Sequence, residues 1–141
     1  MTKKDMITLL NADLERERSH LGFYLHAASI IRGPHREELG EFFLKQAASE
    51  MQHIKQFQDL ILELGGNVTA NWGASMVGSD DPEGLLRFAL KMEDEVVNHY
   101  VERLEQAAVL GGVDGTYVSL FMEEQIMDSK TDAAHIRRML P

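Results

Sequence analysis

Four glutamates occupy positions where the pattern of the chain predicts apolar residues: Glu17, Glu50, Glu93 and Glu124. Each lies near the middle of a different stripe of apolar residues spaced alternately by three and four, the spacing of one face of an α-helix. If the four predicted helices pack against one another, the four carboxylates meet at one level of the core. Carboxylates gathered in this way can bind metal cations.

The free energy of burial decides what such a cluster requires. Removing one ionised carboxylate from water costs several kcal/mol unless it is compensated, whereas a whole domain is stable by only about 5–15 kcal/mol. Protonation, basic partners or cations could compensate, and the central turns of the four stripes contain no Lys or Arg. We therefore favour a metal-binding interior. A polar interior without metal is the alternative.

His53 follows Glu50 by three residues, so the two side chains share one face of a helix. An imidazole together with carboxylate oxygens suits iron(II) or manganese, and zinc can bind the same set as a competitor. His20 lies three residues after Glu17 and could form a second pair of this kind. The alternative for His20 is a polar residue at the edge of the core.

Composition excludes several classes of protein. The 141 residues fit one domain, residues 1–141, with 44% hydrophobic and 26% charged side chains. A formal charge of −9 disfavours nucleic acid and anionic membranes as partners. Cysteine is absent, which excludes disulfides, iron–sulfur clusters and thiolate metal sites. The sequence contains no apolar run long enough for a signal peptide or a membrane span, so we expect a cytoplasmic protein.

The breaks between the stripes predict an all-α fold. Gly33-Pro34 and Gly111-Gly112 make short connections, which force antiparallel neighbours, and Asp81-Pro82 marks the start of the third helix. About residues 66–79 form a connection long enough to run the length of a bundle. The prediction is a four-helix bundle of two antiparallel hairpins joined by a long crossover. The fourth stripe runs through Val113, Tyr117, Leu120, Glu124, Met127, Thr131 and Ala134.

At these residues the sequence resembles the ferritin-like family, and most closely bacterioferritin. Residues 10–27 look like the opening helix of that family, and Glu50-Met51-Gln52-His53 is similar to its ligand motif Glu-Met-x-His. The resemblance implies that Glu17 and His53 are terminal ligands of one iron. It implies that Glu50 and Glu124 bridge two ions, and that Glu93 is the terminal carboxylate of the second.

The same resemblance implies an activity, namely oxidation of two iron(II) ions by dioxygen or peroxide, and assembly into a homo-oligomer. Tyr24 and Tyr100 would donate hydrogen bonds to ligand carboxylates; as plain core tyrosines they would look the same in the sequence. Met51 matches the methionine that ligates haem across the bacterioferritin dimer. Its alternative role is a flexible apolar contact at a subunit interface.

Two departures from the family pattern qualify these implications. Met127 stands where the family has the sixth ligand, and a thioether binds hard ions poorly, so Asp128 or water would have to fill that place. The choice of Glu124 over Glu123 rests on periodicity alone. The chain stops at Pro141, without the short fifth helix of bacterioferritin cages, which favours a dimer or an assembly through other surfaces over a storage shell. A dimetal peroxidase or oxidase and a sequestering bundle without turnover are the alternative functions.

Overall fold

The protein consists of four long helices, and the predicted all-α class is confirmed. The computed structural model describes residues 1–73 and 79–141, and within these ranges it contains no strand. No helix of the described part is both long and apolar enough to cross a membrane. The helices are α1 (Lys3–Ile30), α2 (Arg36–Glu63), α3 (Pro82–Leu110) and α4 (Gly112–Met139).

The breaks between the helices lie where the sequence predicts, and hydrogen bonds cap two helix starts. The Thr2 hydroxyl accepts a hydrogen bond from the Asp5 amide (3.1 Å) and the Asp5 carboxylate accepts one from the Thr2 amide (2.9 Å), which caps α1. Asp81 caps α3 by accepting from the Gly84 amide at 3.0 Å. Gly111 alone separates α3 from α4, and its φ of +69° is a left-handed conformation that favours glycine.

The crossover runs along α1, as the predicted topology requires. The Asn11 side chain accepts a hydrogen bond from the Thr69 amide (2.9 Å), and Arg18 donates to the Thr69 carbonyl (2.7 Å). Further along, the backbone amide of Arg32 donates to the Asp80 carbonyl at 3.1 Å. The contacts therefore progress from one end of α1 to the other. Residues 74–78 of the predicted crossover lie outside the described residues.

The core lies between the two hairpins and is largely aromatic around the candidate site. Phe23 packs edge-on against Phe43 and Tyr24, Phe57 packs tilted against Tyr100, and all five rings are fully buried. Such packing fills the interior with apolar surface and excludes water from the groups it surrounds. Polar side chains within this core must therefore find partners inside the protein.

The predicted core stripe of α4 is wrong. Val113, Leu120 and Met127, which it placed inside, have exposed fractions of 86%, 58% and 68%. The physical reason is a close approach of α3 and α4, because a Cβ added at Gly115 would lie 2.6 Å from the Ala107 carbonyl oxygen. Gly115 fits that contact, and the face that it shares with Val118 and Met122 is buried, so the face with Val113 lies outside. The buried positions of α4 are Gly115, Val118, Met122, Gln125, Ser129, Ala133 and Ile136.

Candidate metal centre

Three predicted ligands meet inside the bundle. Glu17 of α1 and Glu50 and His53 of α2 each offer one ligand atom, and these atoms all lie within 4.8 Å of one another. All three residues are buried, with exposed fractions of 2%, 3% and 5%. His53 Nδ1 lies 3.6 Å from Glu17 Oε2 and 3.6 Å from Glu50 Oε2. The Nδ1 atom of the imidazole and one oxygen of each carboxylate therefore lie close enough together to bind a single ion.

Two tyrosines orient carboxylates of this interior. The Tyr24 hydroxyl donates a hydrogen bond to Glu93 Oε1 at 2.7 Å, and the Tyr100 hydroxyl donates to Glu17 Oε1. Both tyrosines are fully buried, and Glu93 has an exposed fraction of 1%. Each bond holds one carboxylate oxygen, which fixes the side-chain conformation and leaves the other oxygen to bind elsewhere. The structure therefore brings both predicted tyrosines into contact with the carboxylates.

Three buried oxygens of this region have no hydrogen-bond partner within the described part of the chain: Glu17 Oε2, Glu50 Oε2 and Gln125 Oε1. Buried polar atoms in proteins are nearly always paired, so a group of unpaired oxygens requires an explanation. Carboxylate and amide oxygens beside an imidazole form the donor set that iron(II) or manganese accepts. The residues present therefore fit a divalent cation of this class.

Protons and metal cations compete for the ligand atoms of this site. Burial opposes ionisation of Glu17, but the close approach of Glu50 and His53 holds its pKa at about 2. Burial and the neighbouring Glu17 charge raise the pKa of Glu50 well above its ordinary value. Burial would lower the pKa of His53, yet the two carboxylates raise it to about 11. A metal ion that binds here must displace protons from Glu50 and His53.

Glu93 of α3 and Gln125 of α4 are further buried polar side chains of this interior. Burial raises the pKa of Glu93 to about 8, the Tyr24 hydrogen bond works against this shift, and the Asp132 charge adds to it. Gln125 is buried, with an exposed fraction of 1%, and its Nε2 donates to Gln56 Oε1 at 3.2 Å. Gln56 lies three residues after His53 on α2, so this bond places the Gln125 amide beside the cluster. The partner that α4 contributes here is a neutral side chain.

The structure contradicts the predicted inward position of Glu124. Its side chain lies on the exposed face of α4, because the buried stripe of that helix passes through Gln125 instead. Met127 is exposed as well, and Asp128 approaches the site in its place, with Oδ2 3.5 Å from His53 Nε2. The sequence did contain a signal for Gln125, since the small and apolar residues of α4 form a second stripe at helical spacing that includes it.

A cleft between α2 and α4 connects the site to the surface. Its volume is about 220 Å³, and polar side chains dominate its wall. The lining residues are Ser49, Gln52, His53, Gln56, Asp128, Thr131 and Asp132. His53 is the residue shared by the cleft and the buried cluster. His20 is also buried, but it lies outside the group of three ligands, and Met51 is 60% exposed on the outer surface of α2.

Comparison with known proteins identifies the family. The family model of the ferritin-like domain matches residues 7–139. The chain belongs to the ferritin-like family. A comparison of this ferritin-like protein with curated proteins finds no match.

Solved structures similar to this ferritin-like protein share its whole fold. A ferritin-like diiron-carboxylate protein of Bacillus anthracis is 29% identical, with a TM-score of 0.88 over 99% of this chain and 97% of its own. A Dps protein of Vibrio cholerae is 15% identical, with a TM-score of 0.91 over 99% and 91%. Rhodobacter capsulatus bacterioferritin, described with a metal-free dinuclear site and haem iron, is 18% identical, with a TM-score of 0.83 over 96% and 82%.

Proposed function

We propose that this protein binds two iron(II) ions as substrates and oxidises them with dioxygen or peroxide. The observation that carries the proposal is the cluster of buried oxygens without hydrogen-bond partners around Glu17, Glu50 and His53. Membership of the ferritin-like family and the likeness to a diiron-carboxylate protein support it. The proposal assumes the cytoplasmic location predicted from the sequence.

The donors available suggest two unequal halves. Glu17, Glu50 and His53 would hold one ion with two carboxylates and one imidazole. Glu93 and Gln125, together with Glu50, would hold the other. The half that contains Glu17, Glu50 and His53 has more charged ligands, so it should bind its ion more tightly than the other half. Manganese or zinc, which accept the same donors, could substitute in either half.

The proposed reaction is balanced in electrons and protons. Each iron(II) ion gives one electron, and two electrons with two protons convert dioxygen to hydrogen peroxide, or peroxide to two molecules of water. Glu50 and His53 carry protons in the metal-free protein and release them when cations bind, so the two protons of this reaction come from solvent. Tyr24 and Tyr100 keep the ligand oxygens oriented. The aromatic core keeps bulk water away from the bound ions.

A second candidate function is iron sequestration without rapid turnover. The observation that favours it is Gln125, a neutral amide at the position where α4 contributes its inward side chain. A neutral ligand weakens the second half, and a two-electron reaction needs both halves filled. A peroxidase acting on another substrate is the third function considered from the sequence, and selective use of peroxide in the experiment below would favour it.

The deciding experiment adds iron(II) to the metal-free protein without oxygen and then admits dioxygen or peroxide. Absorbance of iron(III) and consumption of the oxidant are followed together. We expect oxidation faster than in buffer, with Glu50→Gln slowing it at least tenfold because the shared carboxylate is lost. Glu124→Gln is the matched control, since that side chain is exposed. Stoichiometric binding without oxidation would favour sequestration, and absence of binding would refute both.

We also propose that the protein self-associates through the outer face of α2. Leu44 and Met51 lie seven residues apart on that helix, and their exposed fractions are 54% and 60%. Two apolar side chains on one exposed face support a contact with a second copy. A haem between two copies would place Met51 as its axial ligand. Size-exclusion mass and titration with haemin, on wild type and on Met51→Leu, test the two parts separately.

A further inference from the structure

The two hairpins meet where α1 faces α3, and the polar contacts there follow one antiparallel register. As the residue number falls along α1, it rises along α3 by nearly the same amount. Each contact lies about one or two turns from the next, and all of them are buried. The pairs are Tyr24 with Glu93, Glu17 with Tyr100, and Asp13 with Arg103.

The Asp13–Arg103 pair lies outside the metal cluster. It is joined by two hydrogen bonds, whereas each of the other two pairs is joined by one. Arg103 donates from Nε to Asp13 Oδ2 at 2.8 Å and from Nη2 to Asp13 Oδ1 at 2.9 Å. Their exposed fractions are 0% for Asp13 and 5% for Arg103. Arg16 donates a further bond to Asp13 Oδ1 at 3.0 Å, and Gln106 accepts one from Arg103. Two parallel bonds from a planar guanidinium fix orientation as well as distance.

This pair lies one turn from the site on both helices. Asp13 precedes Glu17 by four residues on α1, and Arg103 follows Tyr100 by three on α3. Because helical residues three or four apart lie on one face, the ion pair and the Tyr100–Glu17 bond join the same two helix faces. The separation that the ion pair imposes on α1 and α3 is therefore the separation that Tyr100 must span to reach Glu17.

The metal-free site needs such a restraint. Glu17 Oε2 has no hydrogen-bond partner among the described residues, so the position of Glu17 relative to α3 depends on the Tyr100 bond and on the spacing of the two helices. We propose that Asp13 and Arg103 are positioning residues, whose buried ion pair holds α1 and α3 at the distance where Tyr100 orients Glu17 before any metal arrives. This inference rests on the proposed function, because it concerns the readiness of that same site for a cation.

The test uses cobalt(II) as the probe, with visible absorbance reporting binding and coordination. Removing Arg103 alone leaves the buried Asp13 carboxylate unpaired and can unfold the protein, so the deciding variant is Asp13→Asn with Arg103→Gln, which removes both charges. We expect cobalt to bind about tenfold more weakly and its absorption spectrum to change. The matched control is Asp94→Asn with Arg137→Gln, which removes an exposed Asp–Arg pair between α3 and α4.

A double-mutant cycle with Tyr100→Phe shows through which group the pair acts. If the ion pair acts by orienting the tyrosine, removing it in the Tyr100→Phe background weakens cobalt binding no further. Fully additive effects on the dissociation constant would overturn the inference. So would an unchanged dissociation constant together with equal loss of stability in the free and cobalt-bound forms, the result expected of a merely structural pair.

The outcome also separates this inference from the proposed function. Wild-type protein that binds no cobalt overturns both. Wild-type protein that binds cobalt, with a charge-free pair variant that binds it equally well, overturns the inference and leaves the proposed function standing. Arg103→Lys keeps the charge but loses the two-point geometry, so we expect it to fall between wild type and the double variant.

Discussion

Tyr24 on α1 and Glu93 on α3 are joined by a hydrogen bond of 2.7 Å, donated by the tyrosine. The reverse contact lies nearby, where Tyr100 on α3 donates to Glu17 on α1. Each hairpin thus supplies the tyrosine that orients a carboxylate of the other. The candidate site is formed only when the hairpins dock in the correct register, so folding and assembly of the site are a single event.

Tyr24→Phe should weaken the second half of the site selectively. The substitution removes the donor that lowers the pKa of Glu93, so this carboxylate becomes harder to ionise. We expect the weaker of two cobalt binding steps to lose about tenfold in affinity, with the tighter step nearly unchanged. Calorimetric titration of cobalt(II) measures both steps. Tyr117→Phe is the control, because it removes an exposed hydrogen bond from a tyrosine to Glu63. Equal effects of the two variants on cobalt affinity would contradict the prediction.

Gln125→Glu should strengthen metal binding while it destabilises the metal-free protein. A fourth buried carboxylate adds charge toward the cations, but without them it costs several kcal/mol of folding free energy. The unfolding midpoint should therefore fall without cobalt and recover with it. Thermal unfolding with and without cobalt(II) measures the difference. Glu124→Gln, a change at the exposed neighbour, should alter neither value.

The stability of the metal-free protein should fall as the pH rises from about 5 to 8. Glu93 has a folded pKa of about 8 against an ordinary value of 4.5, so the folded state binds the proton more tightly. Its contribution to stability is complete below the unfolded pKa and is lost as the pH rises through the folded pKa. His53, raised from 6.5 to about 11, acts in the same direction from about pH 6.5 upward.

Urea unfolding at several pH values measures this slope, which amounts to about 1.4 kcal/mol per pH unit for each proton retained. Glu93→Gln removes one titrating group, so its slope should be shallower than that of wild type. The affinity for cobalt should change in the opposite sense and rise with pH, since binding displaces protons. Parallel slopes for wild type and Glu93→Gln would show that surface charges, and not the site, cause the trend.

The cleft between α2 and α4 should be the route by which cations reach His53. Replacing Asp128 and Asp132 by Asn removes two negative charges from its wall. We expect the rate of cobalt binding to fall about tenfold at low salt and the difference to shrink at high salt. Stopped-flow absorbance measures the rate. Asp59→Asn with Asp114→Asn changes the net charge equally on the exposed surface, and an equal loss of rate there would rule out this route.

Much of the site was predictable because burying a carboxylate is expensive. Glu17, Glu50 and Glu93 interrupt apolar stripes that are otherwise complete, and all three are buried. The pairing of His53 with Glu50 followed from helical spacing alone. The contact between Asp13 and Arg103 could not be predicted in this way, because it depends on the relative register of two helices that are distant in the sequence.

The fourth helix shows the limit of pattern reading. The predicted core stripe followed large apolar residues such as Val113 and Leu120. These residues lie on a face that is exposed in the single chain. The true buried face includes Gly115 and Gln125, so its mean hydropathy is lowered by a glycine and an amide although the rest of the stripe is small or apolar. Periodicity finds an apolar face, but it cannot tell whether that face packs against the same chain or remains available to another.

Under the proposed function, the neutral amide of Gln125 bears on what becomes of iron after oxidation. With Glu17, Glu50 and Glu93 ionised, the cavity offers three negative charges against four positive charges for two iron(II) ions and six for two iron(III) ions. The imbalance therefore grows when electrons leave, and electrostatics favours departure of the ferric product or its neutralisation by hydroxide. If the proposal holds, an amide at this position therefore favours repeated binding and release of the ions over their permanent retention.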